Sequence, residues 1–362
     1  MIRFRGIIRI ALGLSTLAFL GIVQPSAVAD GGAAHQVVQA RPIELGTSGG
    51  NINDRSRIYC CSGTLGSLTE DSAGFQYILS NNHVLARVNR ASVGEDINQP
   101  GQVDQNCGQT GIIADLSTFV PIAFKQSRSV PLNEVDAAIA AVRVGQVSPD
   151  GSIIDIGPVS SQIVSAFVGQ AVQKSGRTTG LTTGAVAAIN VTVDVGYSKE
   201  CGGASNQIAR FVNQVRVTPG SFSAGGDSGS LVVESGQTSP VDGFPRAVGL
   251  LFAGSSSSTI ANPIGRVLSL LNVSMAGGTP AKSGLDTITP AVGRAKAALD
   301  KHSASLFAKS GVVGHGIGMS ESGKPVIEVY VVDDNAKAGA GIPKKLDDVP
   351  VNVVVTGPFE AF

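Results

Sequence analysis

Tryptophan is absent from the 362 residues, and histidine and cysteine occur only four times each, so the chemically distinctive side chains can be followed one by one. Charge is scarce too. Lys plus Arg and Asp plus Glu both number 27, which leaves no net charge to draw the chain onto nucleic acid. With 15% charged and 43% hydrophobic residues, the composition is that of a folded chain and not a disordered one. There is no C-x-x-C and no nearby second ligand pair, so no zinc site, and no cofactor of any kind, is expected. The Gly-rich stretch 174–180 lacks the G-x-x-x-x-G-K-[ST] order of a phosphate loop and reads as a turn between strands.

What is plentiful is glycine, 46 residues of it, among short runs of Val, Ile, Thr and Ser. From Arg57 to Val273 apolar segments of a few residues alternate with turns and no amphipathic helix intervenes. That texture predicts an antiparallel all-β region, a pair of barrels or a sandwich. Ahead of it, Arg3, Arg5 and Arg9 precede an apolar run over residues 10–23 and the small-x-small sequence Ala27-Val-Ala29. Residues 1–29 are therefore expected to be a cleaved export signal, the run being short for a bilayer span of about 20 residues. No stable membrane insertion is expected after cleavage, and the protein is expected to be secreted or periplasmic. Residues 30–56 read as an exposed lead-in and 274–288 as a linker. Residues 289–362 read as a small α+β module: Thr289 and Pro290 open a helix with Val292, Ala295, Leu299, His302 and Leu306 on one face. Strand-like runs then follow over 312–317, 325–332 and 349–355.

Outside the cytoplasm disulfides persist. Adjacent Cys60 and Cys61 point to opposite faces of an extended chain. One is expected to pair with Cys107 and the other with Cys201.

The most informative stretch is residues 221–233, where Ser228 is flanked by Gly225, Gly226 and Gly229. Glycine allows backbone angles that other residues avoid, so the turn can present a serine hydroxyl and aim amide N–H groups at one point. The run 231–233 behind it reads as a buried strand. A serine nucleophile needs a base, usually histidine. Of the histidines, His35 lies in the lead-in and His302 and His315 in the last module, where both are expected to be packing residues; only His83 belongs to the β region. A shielded carboxylate should orient that imidazole. Asp136 stands alone in the apolar run 135–142 and must find a polar partner. Asp96 and Asp104 sit in more polar surroundings, and Asp115 has a shorter apolar setting.

In the order His83, Asp136, Ser228, the chain resembles the trypsin-like serine peptidases of the chymotrypsin fold, in their bacterial secreted branch. The residues that carry the resemblance are Leu79-Ser-Asn-Asn-His-Val84, Val135-Asp-Ala-Ala-Ile139 and Gly226-Asp-Ser-Gly-Ser-Leu231, with Lys174-Ser-Gly-Arg-Thr-Thr-Gly180 and Val248-Gly-Leu-Leu-Phe-Ala-Gly254 in support. It covers about residues 57–273. It implies two six-stranded antiparallel β-barrels, the first over about 57–145 and the second over about 165–273, with an acyl-enzyme route in the cleft between them. The amides of Gly226 and Ser228 would form the oxyanion hole. Phe222, six residues before the serine, stands where Arg/Lys-cleaving relatives carry an acid, and no spare histidine in the domain could receive a substrate carboxylate. A small or apolar acyl-side residue is expected instead, with Phe252, Ala253 and Gly254 as a wall, in a peptide or protein substrate. No Ile-Val-Gly-Gly start is present for activation by insertion. The alternative is a non-catalytic binding protein on the same scaffold. The last module is faintly similar to peptide-binding PDZ domains over Pro325-Val-Ile-Glu-Val-Tyr-Val-Val-Asp-Asp-Asn-Ala-Lys-Ala-Gly-Ala-Gly341, and its Gly314-His-Gly-Ile-Gly318 is only a loose match to a carboxylate-binding loop; it reads as a binding or regulatory module whose ligand is unknown.

Overall fold

The computed structural model describes residues 32–276 and 289–362. The expected export signal and most of the expected linker lie outside them. In chain order the strands are β1 (Thr47–Asn51), β2 (Gly63–Leu65), β3 (Ser67–Glu70), β4 (Gln76–Ser80), β5 (Asp96–Asn98), β6 (Ile112–Phe119), β7 (Leu132–Asn133), β8 (Ala138–Val142), β9 (Ala171–Gly176) and β10 (Gly180–Ser198). Then come β11 (Ser205–Thr218), β12 (Leu231–Glu234), β13 (Ala247–Gly254), β14 (Thr259–Pro263), β15 (Ser274–Met275), β16 (Val312–Met319), β17 (Pro325–Val331), β18 (Lys345–Leu346), β19 (Val349–Val355) and β20 (Phe359–Ala361). The α-helices are α1 (Asn82–Leu85), α2 (Ile264–Leu271), α3 (Pro290–Phe307) and α4 (Asp334–Gly339).

The protein is mostly β, built on two curled sheets. In the first, the order β3-β4-β8-β6-β5-β1-β2 returns on itself, because β2 runs through Gly66 directly into β3. Gly66 has to be glycine: a Cβ there would stand 1.9 Å from the Gly229 carbonyl oxygen. The corner therefore presses against the Ser228 loop. In the second sheet β10-β9-β12-β13-β14-β11 closes through the β10–β11 pairing, a ring of six. The β10–β11 hairpin is long, and its register slips at several places, with Asn190 and Asn213 in the left-handed region that asparagine tolerates. Separate apolar clusters fill the two rings, one around Ile78, Leu79, Ile113 and Ile139 and one around Val172, Val217, Leu251 and Phe222.

Several boundaries differ from the sequence reading. The lead-in over 30–56 contains β1, buried along its whole length, and a buried His35 that hydrogen-bonds the Gly46 carbonyl. Its Thr-Ser-Gly-Gly-Asn sequence has no apolar residue to reveal a strand. The expected linker begins with β15, which pairs with β3. The last module has its own core around Val292, Leu299, Ile327 and Val329, with helix α3 capped by Thr289 as expected. It is nevertheless continuous with the second sheet, since β16 pairs with β10. Residues 314–318 are not a binding loop. They lie inside β16, hydrogen-bonded between β10 and β17, and so have no row of free amides for a carboxylate. His302 is half-buried and meets Asp347 at 3.0 Å, while His315 is buried against the Phe307 ring and the Ser303 hydroxyl. Burial and the nearby Arg210 push His315 down to about 4.

The disulfides are Cys60–Cys107 and Cys61–Cys201. The second ties the first ring to the β10–β11 connection. No described helix is long and apolar enough to cross a membrane.

Candidate active site

The apolar β4 ends at Ser80 and the chain turns at once into the single turn of α1, which carries His83. The Asn-rich sequence here is buried, and its side-chain amides hold the turn. Asn81 Nδ2 donates to the Asp136 carbonyl at 2.7 Å, and Asn82 Nδ2 donates to the Val120 carbonyl at 2.8 Å. The neighbours of His83 thus fix the turn that carries it.

Asp136 lies just ahead of β8 and has no exposed surface. His83 Nδ1 lies 2.6 Å from its Oδ2, and the His83 main-chain N–H donates to Oδ1 at 3.2 Å. The Tyr197 hydroxyl donates to Oδ2 at 2.8 Å. Three contacts thus satisfy the polar atoms of a fully buried side chain, which would be costly to leave unpaired. Burial alone would lower the His83 pKa; the Asp136 charge, its hydrogen bond and the Phe362 main-chain oxygen more than offset this, and the imidazole titrates above its ordinary value. Of the other acids weighed, Asp96 and Asp115 share Arg143 at the surface, and Asp104 is paired with Arg177.

Ser228 sits in the loop between Phe222 and β12. Gly226 and Gly229 have φ of 98° and 94°, angles that a side chain would strain. The amides of Asp227, Gly229 and Ser230 donate to the Ala224, Leu251 and Asp227 carbonyls. Among the described residues, those of Gly226 and Ser228 take no part in the loop's own main-chain hydrogen bonds. Ser228 Oγ donates to the Phe252 carbonyl at 3.1 Å, and the Ser228 carbonyl accepts from the Thr64 amide at 2.8 Å, across the two rings. His83 Nε2 lies 3.0 Å from the Phe362 main-chain oxygen, while the Phe362 N–H donates to the same Phe252 carbonyl at 3.4 Å. One residue, Phe362, therefore touches the surroundings of both His83 and Ser228. Phe222 is fully buried in the second ring's core, and Phe252 and Ala253 are covered.

The chain is similar to several known proteins. The family model described as the Nal1 C-terminal domain matches residues 114–262. Glutamyl endopeptidase 2 of Streptomyces griseus is 30% identical over 166 residues, 42% of this chain and 73% of that protein. The chain belongs to the chymotrypsin-fold serine peptidases. Among solved peptidases, a glutamic acid-specific serine protease that uses a histidine triad in substrate binding aligns over 64% of this chain and 100% of its own, at 23% identity and a TM-score of 0.43. Cellulomonas bogoriensis chymotrypsin aligns over 64% and 97%, at 18% identity and a TM-score of 0.40.

In this peptidase, sequence reasoning missed three groups that hold the site. Tyr197 lies far along β10, and its only signal is a lone tyrosine within an apolar alternation. Asn262 accepts from the Asp136 amide at 3.1 Å and donates to its carbonyl at 3.2 Å, from a strand with no motif. Asp227, the residue before the serine, is buried and accepts from the amides of Thr178, Thr179 and Ala224 and from the Thr179 hydroxyl, with Lys174 Nζ at 3.5 Å. The 174–180 turn is thus a clamp on the serine loop.

Proposed function

We propose that the protein is a serine endopeptidase that hydrolyses peptide bonds through Ser228, His83 and Asp136. The observation that carries the reading is the buried 2.6 Å contact between Asp136 and His83 beside the serine loop. Asp136 holds the imidazole with its proton on Nδ1, so that Nε2 is the basic nitrogen when the ring is neutral. Nε2 takes the Ser228 proton as Oγ attacks the carbonyl carbon, and gives it to the leaving amine as the C–N bond breaks. Water, deprotonated by the same nitrogen, then cleaves the ester and restores Ser228. The Gly226 and Ser228 amides receive the oxyanion, each such donor being worth about 3 kcal/mol.

The specificity we propose is for a small or apolar acyl-side residue, although the Streptomyces griseus relative is a glutamyl endopeptidase. A carboxylate in a dry pocket needs a cation or several donors. β13 is apolar throughout, Phe222 is an aromatic ring, and Arg216 on β11 is already paired with Glu328 at 2.7 Å. Export is part of the proposal, supported by two disulfides that an oxidising compartment preserves. Ser228→Ala is expected to abolish cleavage of peptide amides while the circular dichroism spectrum stays unchanged. Undiminished cleavage by that variant refutes the assignment.

A further inference from the structure

A nucleophile must be reachable, and Ser228 here has no exposed surface; Phe252 and Ala253 on β13 have none either. What covers them is the protein's own chain. β20 lies antiparallel to β13, with Ala361 opposite Ala253 and Glu360 opposite Gly254, and parallel to β10, with Phe359 opposite Val195. Phe362 continues the strand. Its N–H donates to the carbonyl that also receives the Ser228 hydroxyl, and its main-chain oxygen meets His83 Nε2. Phe362 therefore pairs alongside β13 as the acyl-side residue of an extended peptide would, with its main-chain oxygen at the catalytic imidazole.

The side chains fit equally closely. The Phe362 ring packs against the Phe222 and Leu251 cluster and lies over Gly254, where an added Cβ would come within 2.2 Å of Cζ. Phe359 is buried with Tyr197, Phe252 and Tyr330. Glu360 alone faces outward. The strand is also anchored just before it starts: the Thr356 amide donates to Val331, and the Ser256 and Ser257 hydroxyls donate to the Thr356 carbonyl. Gly357, at φ 77°, and Pro358 then turn the chain toward the cleft.

We propose that residues 359–362 are a tethered occupant of the substrate strand. The segment shuts the site in the closed chain, and its sequence marks the ligand class: an extended apolar peptide with an aromatic residue at the attacked carbonyl and a freely chosen side chain two residues earlier. The proposal rests on the peptidase reading and adds the regulation and preference of that same site. Tethering matters because a short linker gives a weak peptide an effective concentration in the millimolar range. Four residues that bind only weakly when free can then hold the cleft closed most of the time.

The test compares the full chain, the full chain with Phe362→Asp, and a chain ending at Thr356. Each is scored for its rate of labelling by a serine-directed fluorophosphonate and for cleavage of a chromogenic peptide amide with phenylalanine before the amide. Both altered chains are expected to react faster than the full chain, on the order of tenfold or more. The free peptide acetyl-Phe-Glu-Ala-Phe at millimolar concentration should slow the shortened chain again. If shortening unfolds the protein by circular dichroism, the Phe362→Asp chain decides alone. Equal labelling rates in all folded chains overturn the proposal and leave the peptidase reading intact. No labelling and no cleavage by any of them means that the peptidase reading fails, and this proposal falls with it.

Discussion

Replacing Asp136 by asparagine probes the proton arrangement without changing the shape of the site. In the wild-type chain Oδ2 faces His83 Nδ1 and the Tyr197 hydroxyl, and Oδ1 faces the His83 main-chain N–H. An asparagine has two orientations there. With its oxygen toward the imidazole, its NH2 group collides donor-to-donor with the main-chain N–H. With its NH2 toward the imidazole, every contact is satisfied only if Nδ1 carries no proton and the Tyr197 hydroxyl rotates to accept. The second orientation wins, because an unpaired buried donor costs about 1–3 kcal/mol. It moves the imidazole proton to Nε2, the atom that must accept the serine proton. The loss expected from such a tautomer change is about 10⁴ in kcat, near 5 kcal/mol of transition-state stabilisation. Turnover of a chromogenic peptide amide, compared with the parent chain under identical conditions, measures it. A loss smaller than tenfold in a folded variant refutes the tautomer argument.

The remaining expectations are simpler to state. His83 titrates above its ordinary 6.5 despite burial, because Asp136, the Phe362 oxygen and Asp54 favour the imidazolium. A base must be neutral, so the acid limb of the activity profile has its midpoint above 6.5, and a midpoint below that contradicts the electrostatics. The same raised value contributes folded-state stability that is present below about 6.5 and is lost as pH rises through the folded pKa. Asp54, pushed up from 3.8 to about 6 by burial, binds its proton more tightly in the folded chain, so stability should fall further as pH rises from 3.8 to about 6. The Cys61→Ser, Cys201→Ser chain loses a link that closes 140 residues of sequence, and denaturant unfolding should show it about 2–5 kcal/mol less stable. An unchanged midpoint would mean that the link constrains nothing.

Much of this site was legible because its three candidate residues each stand in a local pattern: a histidine after an apolar strand, a lone acid in an apolar run, a serine among glycines. Elimination did the rest, since only one histidine lay in the β region. The cysteine partners followed from compartment and count, and the pairing Cys60–Cys107 with Cys61–Cys201 is one of the two arrangements left open. The rest was hidden for physical reasons. β1 has no hydrophobic periodicity, because its small residues Thr, Ser and Gly are buried by close packing and not by bulk. Tyr197 and Asn262 act through tertiary contacts that no spacing encodes. Gly314 to Gly318 looked like a binding loop because glycines also serve where strands pack tightly: an added Cβ on Gly316 would meet the Tyr330 hydroxyl at 2.6 Å. Phe359 and Phe362 belonged, by position, to a module assumed to stand apart, and only the folded chain shows Phe359 beside β10 and Phe362 beside β13.

The central claim is that the Ser228 hydroxyl is the nucleophile and His83 its base. Labelling the chain that ends at Thr356 with a fluorophosphonate, digesting it and locating the adduct by mass spectrometry tests this directly. The account predicts a single modified residue, Ser228, and no modification in a His83→Ala counterpart. An adduct on any other serine, or equal labelling without His83, contradicts it.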